Sequence, residues 1–206
     1  RSREGTSVPP TQRFYSWGPM DWTADQVDEM RVGRPTYGER EQSGALTWLR
    51  TVQEAGGEYS LLYAEVGSGY QVFPHYHTLY TETFKLLEGG VEGRAGNQRI
   101  SLGVGDEVAI PPRMVHGWSG GNAGFEKWVI MLPNMAVYGL TIPDLRSINF
   151  VHAALVLVES DTNLPGSARV LNPVVKAVAW LGCKAGVDRR LEEKYFHRTT
   201  GEVAAG

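Results

Sequence analysis

The sequence predicts a mainly β protein: one antiparallel sandwich or barrel over 45–133, an irregular arm before it (1–44) and a helical extension after it (134–206). Three observations lead there. From residue 45 to 133 the chain is a series of short runs rich in β-branched and aromatic residues, punctuated by glycine and free of helical periodicity. Before that stretch it is polar and rich in Gly, Pro and Arg. After it, apolar residues recur at helical spacing. With 206 residues, 42% of them hydrophobic, the chain is long enough to bury a core unaided.

In the arm, WTADQVDEM carries a helix signal. Thr23 and Gln26 stand at capping-box spacing, and Val27 and Met30 supply apolar neighbours. ALTWLRTVQ and EYSLLYAEV flank Ala-Gly-Gly and read as a hairpin. GYQVFPHYH, ETFKLLEGGVEG, QRISL, DEVAIPP, HGWSG and FEKWVIML follow as strands. In the extension, IPDLRSINFVHAALVLVE offers Asp144 as a cap and sets Leu145, Ile148, Val151 and Leu155 close to a 3.6 period. LNPVVKAVAWLGCKAG reads as a helix with Asn172 as N-cap, Pro173 at its first position and Gly186 just past its end. VDRRLEEKYF is a shorter third helix. These helices are expected to pack on the barrel or on a second subunit.

Composition excludes several partner classes. A net charge of -3 supplies no basic field for nucleic acid or an anionic membrane. The longest apolar run, INFVHAALVLV, falls short of the roughly 20 residues that a membrane span needs. Cys183 is the single cysteine, so no internal disulfide forms and a cytoplasmic location is expected. The segment RSREGTSVPP has no apolar h-region behind it and is not read as a signal peptide.

Chemistry concentrates in PHYHTLYTETFKLLEGG, residues 74–90. On a strand, His75 and His77 share a face with Gln71 and Phe73. Glu82 opens the next strand beyond a bend, and if the two strands pair across that bend its carboxylate closes on the two imidazoles. Downstream, GDEVAIPPRMVH sets His116 just after a proline-bracketed strand end, placed to face the pair. Three imidazoles and one carboxylate suit a divalent first-row metal and leave open coordination positions. Of the two remaining histidines, His152 lies in an apolar helix and reads as a core residue, and His197 lies in a polar tail and reads as solvated.

This pattern resembles the cupin superfamily, whose first motif is G-x5-HxH-x3,4-E-x6-G and whose second is G-x5-PxG-x2-H-x3-N. Gly69, His75, His77, Glu82 and Gly89 fit the first without an insertion, and Gly105, Pro111 and His116 fit the second. Arg113 stands where the family usually has glycine, and Gly120 where it usually has asparagine, with Asn122 two residues on. The glycine normally permits a positive φ, so arginine bears directly on the turn. The resemblance spans about 50 residues and extends to roughly 45–133 with the flanking strands. It implies a small single-domain jelly roll that holds a metal with His75, His77, Glu82 and His116 as ligands and catalytic residues. Fe(II) is the first choice of metal, with Mn, Ni, Zn or Cu as alternatives. Small cupins commonly dimerise, so a homodimer is expected.

Strand parity sets Phe73, Phe84 and Trp118 on the ligand side, where they read as barrel core or as substrate contacts. Tyr63 joins them if its register brings it inward, and Tyr80, in the bend, could reach the mouth. Tyr76 has the opposite parity and is expected to face outward. Arg113 is either a rim residue that steers a carboxylate or phenolate, or simply solvated. One of Glu126 and Lys127 points inward. No Arg or Lys cluster falls on inward positions, which favours an apolar or aromatic small molecule over a sugar phosphate.

Three functions follow from the resemblance. The first is a dioxygenase for enolic or aromatic substrates, in which an apolar barrel keeps reactive species from water. The second is a non-redox isomerase, cyclase or lyase, whose cation stabilises an enolate. The third is a non-catalytic small-molecule-binding protein.

Overall fold

A computed structural model describes residues 22–34, 36–37, 45–51, 54–55, 59–67, 71–120, 126–132, 149–191 and 193. Two antiparallel sheets form the body. Strands β1 (Thr36–Tyr37), β2 (Ala45–Arg50), β3 (Ser60–Val66), β5 (Glu82–Glu88), β8 (Glu107–Ile110) and β10 (Glu126–Leu132) make a six-stranded sheet in the order β1-β2-β3-β10-β5-β8. Strands β4 (Gln71–His75), β6 (Val91–Ala95), β7 (Gln98–Leu102) and β9 (His116–Gly120) make a four-stranded one in the order β4-β9-β6-β7. From β3 onward the chain passes repeatedly between the sheets, and glycine or proline stands at several of the crossings, though not at the 76–81 one between β4 and β5. Gly89, with φ of 86°, and Gly90 divide ETFKLLEGGVEG into β5 and β6, one in each sheet. The 111–112 prolines separate β8 from β9. This is the mainly β architecture of antiparallel sheets that the sequence predicts.

The core lies between the sheets. Ala64, Val66, Phe84, Leu86, Val108 and Ile110 come from the large sheet, and Val91, Ala95, Ile100, Leu102 and Trp118 from the small one. Alternation along β5 shows why: Glu82, Phe84 and Leu86 are buried while the residues between them are only partly so. The outer face of the large sheet is covered by α1 (Ala24–Arg31), whose Val27 packs on Leu49, Leu61 and Tyr63. Thr23 and Gln26 close the expected capping box at its start.

Helices also pack against the large sheet. Trp48 and Leu62 pack on Ala154 and Leu155 of α2 (Phe150–Glu159) and on Ala179 of α3 (Asn172–Lys184). Gly182 of α3 lets the two helices approach, since a Cβ there would stand 2.8 Å from Val151.

Both helices begin differently from expectation. The side chain of Asn149 caps α2 by accepting from the His152 amide at 2.9 Å; Asp144, with the rest of 133–148, lies outside the described residues. Leu171, not Asn172, is the N-cap of α3, because a 3-10 turn (Gly166–Leu171) feeds directly into the helix. The Asn172 side chain instead brackets Leu164, accepting from its amide at 3.0 Å and donating to its carbonyl at 3.2 Å. Gly186, with φ of 69°, does follow the end of α3. The third helical segment is described over 187–191.

Candidate metal centre

His75 and His116 are cross-strand partners on the small sheet, one ending β4 and the other opening β9. A bulge between Val72 and His75 allows this. β4 arches over Gly117, where a Cβ would stand 2.9 Å from the Val72 carbonyl oxygen and 3.2 Å from the Pro74 nitrogen. His77 follows two residues past His75, beyond the strand. Glu82 reaches the cluster from the opposite sheet, as the first residue of β5. The expected pairing of the 71–77 and 82–88 strands across their bend does not occur; they belong to different sheets and converge face to face.

The 111–113 turn is tied to the same place. The Arg113 amide donates to the His77 carbonyl at 2.5 Å, and the Met114 amide to the Pro111 carbonyl at 3.2 Å. Arg113 itself adopts the positive φ, 68°, that the family gives to glycine, with its side chain exposed. A β-carbon in that conformation is strained, while glycine loses more entropy on folding, so Arg113→Gly is expected to stabilise by about 0.5–1 kcal/mol. The check is thermal unfolding, in which the melting temperature rises while metal affinity stays constant.

All four side chains are buried, and one ligand atom from each lies within 4.8 Å of those of the others. Their protonation pattern follows from their neighbours. Nδ1 of His75 faces the Phe73 carbonyl at 2.8 Å, Nδ1 of His116 faces the Met114 carbonyl at 3.0 Å, and Nδ1 of His77 faces the Ser160 carbonyl at 2.9 Å. A carbonyl only accepts, so each Nδ1 carries a hydrogen and each Nε2 is the ring atom left for a proton shared with the carboxylate or for a metal ion. Those of His77 and His116 lie 3.2 and 2.7 Å from Glu82 Oε2. Three imidazoles and a carboxylate converging in a buried space suit a cation between them, either protons on Nε2 or a metal ion in their place. The carbonyl partners are those that orient metal-binding imidazoles.

The titration behaviour agrees. Burial pushes the His75 imidazole down to about 4, with the nearby His116 adding to the fall and Glu82 only partly offsetting it. Burial also disfavours the charged form of His77, but the bond to Glu82 and its charge outweigh that and raise the pKa. For Glu82 burial acts upward, while bonds from His116 and His77 hold the carboxyl well below its usual range. A metal ion entering must displace the proton from His77. Apparent affinity is therefore expected to fall about tenfold per pH unit below the raised His77 pKa and to level off above it. Metal titration across about pH 5 to 8 checks this; a flat profile contradicts it.

Around the cluster the aromatic residues divide. Phe84 stands 6.2 Å from the His116 ring and 4.8 Å from the Trp118 ring, both contacts edge-on, so these two form an inner apolar wall as parity predicts. Phe73 does not join them. It is 51% exposed, because the bulge turns its side chain out and brings Val72 to the core instead; its ring lies 5.5 Å from that of His75, at the rim. Tyr63 lies on the other face of the large sheet, since Leu62 and Ala64 are the inward residues of β3. Its hydroxyl donates to Glu65 at 2.5 Å, and the Arg31 guanidinium lies 3.9 Å above its ring, anchoring α1. Tyr80 is buried rather than at a mouth. Its ring stacks on His77 at 4.5 Å, and its hydroxyl donates to the Ser160 carbonyl at 2.5 Å. Tyr76 is half-buried and pairs with Asn163.

Sequence reasoning missed Ser160 and the residues after it, which meet His77 from more than 80 positions away. The signal available was the polar run Ser-Asp-Thr-Asn directly behind an apolar helix. His152 is buried in α2 as expected. His197, Gly69, Asn122 and the side chains of Glu126 and Lys127 lie outside the described residues. Among the described residues, no helix is long and apolar enough to cross a membrane.

No family model and no curated protein sequence matches the chain. Solved structures similar to it include KdgF from Halomonas sp., at 14% identity over 47% of this chain and 86% of that one, with a TM-score of 0.41. The polyketide cyclase RemF from Streptomyces resistomycificus is similar at 19% identity over 50% of this chain and 75% of that one, with a TM-score of 0.44. A cupin 2 conserved barrel domain protein from Rhodopseudomonas palustris is similar at 16% identity over 48% and 68%, with a TM-score of 0.41.

Proposed function

We propose that this chain, with its cupin-type fold and buried His75–His77–Glu82–His116 group, is a metal-dependent enzyme, and that it is an Fe(II)-type dioxygenase of small apolar, aromatic or enolic substrates. The observation that carries the metal assignment is the set of three imidazoles whose Nδ1 atoms all face backbone carbonyls, with Nε2 of His77 and His116 on the Glu82 carboxylate and His75 grouped beside them. A divalent ion bound there supplies a Lewis-acidic, redox-capable charge beside an apolar wall.

The residues present support particular roles. Glu82 carries the negative charge of the group, so three neutral imidazoles and one carboxylate leave a divalent ion with a net positive charge that attracts an enolate or phenolate. Phe84 and Trp118 exclude water from one side and offer aromatic edges to a flat substrate. Phe73, at the rim over His75, offers a ring to a substrate on its way in. Arg113 stands exposed beside the second-motif turn, where its charge steers an anionic group. The reading includes a homodimer: α3 leaves Val174, Trp180 and Leu181 at least half exposed, and size-exclusion chromatography checks it.

The function is tested by loading the protein with Fe(II), Mn(II), Ni(II), Zn(II) or Cu(II) under argon and presenting a panel of enols and phenols with and without dioxygen. Substrate-dependent dioxygen uptake with iron is the expected result. Turnover under argon overturns the dioxygenase reading and assigns the site to isomerase, cyclase or lyase chemistry.

A further inference from the structure

The three imidazoles are not held alike. His75 and His116 each donate to a carbonyl two residues away in their own strand region, so β4 and β9 orient them without outside help. The carbonyls at His77 come from far along the chain: its Nδ1 meets those of Ser160 at 2.9 Å and Asp161 at 3.3 Å, both from the corner that follows α2, with the Tyr80 hydroxyl 2.9 Å from the same atom.

That corner is built as a clamp. The Asn163 amide donates to the Tyr76 carbonyl at 2.9 Å and the Tyr76 amide to the Asn163 carbonyl at 3.0 Å, so residues 160–163 extend the end of β4. Asp161 adopts a φ of 47°, a region that Asp enters more readily than most residues. Its carboxylate then faces the 78–79 turn, accepting from the Thr78 amide, from the Leu79 amide at 2.8 Å and from the Thr78 hydroxyl at 2.9 and 3.0 Å. Asn163 Nδ2 donates to the Asp161 carbonyl at 2.8 Å and to its Oδ1 at 3.1 Å, fixing the carboxylate from behind. The Ser160 carbonyl projects from the C-terminal end of α2, where unsatisfied carbonyls carry partial negative charge.

We propose that Asp161 is a positioning residue for the metal centre. By pinning the 78–79 turn to the end of α2 it brings the Ser160 carbonyl against His77, keeps Nε2 of that ring directed at Glu82, and couples the docking of α2 to metal binding. This rests on the metal-centre reading above. Linkage makes the coupling reciprocal: an ion that binds better when the corner is docked also holds the corner down. Tyr80 belongs to the same device, since its ring stacks on His77 and its hydroxyl shares the Ser160 carbonyl.

The test uses the full chain as wild type, Asp161→Ala, Asp161→Asn and Tyr80→Phe, with His116→Ala as a control. Nitrogen-15 shifts of the His77 ring in metal-free protein read orientation directly. At a pH above the His77 pKa, wild type is expected as the single Nδ1-protonated tautomer and Asp161→Ala as a mixture. Zn(II) affinity by chelator competition is expected to fall about 10–100-fold in Asp161→Ala, the usual cost of losing an outer partner, with partial recovery in Asp161→Asn. Zinc is also expected to slow amide exchange in α2 of wild type more than in Asp161→Ala. If Asp161→Ala does not fold, Tyr80→Phe, which keeps the stack and removes one bond to Ser160, is read for the same tautomer and affinity changes. A folded Asp161→Ala with one tautomer and affinity within about twofold of wild type overturns the proposal while His116→Ala still loses zinc. Zinc binding to wild type that His116→Ala leaves intact instead overturns the metal-centre reading, and this proposal with it.

Discussion

Replacing His116 with alanine is expected to abolish metal loading. Its Nε2 lies 2.7 Å from Glu82 Oε2, the shortest contact in the cluster, and the residue is almost wholly buried on β9. Loss of an outer partner alone typically costs about 10–100-fold in metal affinity, so loss of a donor atom is expected to exceed about 100-fold. A second consequence concerns Glu82. With the His116 bond gone, the His77 contact at 3.2 Å is the remaining imidazole partner, while burial still pushes the carboxyl upward, so its pKa rises in the metal-free variant. The depressed carboxyl of the parent contributes stability that is present above the ordinary carboxylate pKa and is lost as pH falls through the folded value. His116→Ala is therefore expected to have a smaller stability difference between neutral and acidic pH. Chelator competition measures the first effect and denaturation of metal-free protein at two pH values the second; unchanged affinity with retained fold contradicts the first, and an unchanged stability difference between the two pH values contradicts the second.

Trp118→Ala is expected to be the most damaging change that touches no ligand. The indole is 3% exposed, lies edge-on to Phe84 and packs across the sandwich with residues of both sheets. Truncating a buried aromatic of this kind costs about 3–5 kcal/mol. Its seat is as specific as the ring itself. Gly93 is its cross-strand neighbour, and a Cβ there would stand 2.4 Å from Cε3 of the indole and 2.6 Å from the Gly117 carbonyl oxygen. Gly93→Ala is thus expected to cost about 1–3 kcal/mol through overpacking. Pairing the two substitutions relieves only the indole clash, because the Gly117 carbonyl belongs to the ladder between β6 and β9 and does not withdraw. Urea denaturation of the two single variants and the double variant measures this; a Trp118→Ala variant as stable as wild type contradicts the wall assigned to it.

The grouping of His75, His77, Glu82 and His116 was legible because the motif spacing ties residue type to strand parity: HxH places two imidazoles side by side, and Gly89 and Gly105, with φ of 86° and 88°, stand at the turns that the motif requires. The strands, the 45–66 hairpin and the capping box of α1 were legible for the same reason, each being a local pattern of a few residues. Features that depend on a break in such a pattern were not. Phe73 has the parity of His75 in the sequence, yet the bulge beside it exchanges the two faces, and Gly117 across the ladder is the cue that a strand passes close there. Tyr63 sits on a strand buried on both faces, so composition gives no sign of which residues point inward. The clamp on His77 joins residues 83 and 84 positions apart, and Asp161 carries nothing in its local sequence that names Thr78 as its partner.

X-ray absorption spectroscopy of metal-loaded protein tests the central claim most directly, because it counts imidazoles around the ion. The account predicts a first shell of nitrogen and oxygen with multiple scattering from three histidine rings, reduced to two in His77→Ala. One imidazole or none in the wild type, or an unchanged spectrum in His77→Ala, would contradict it.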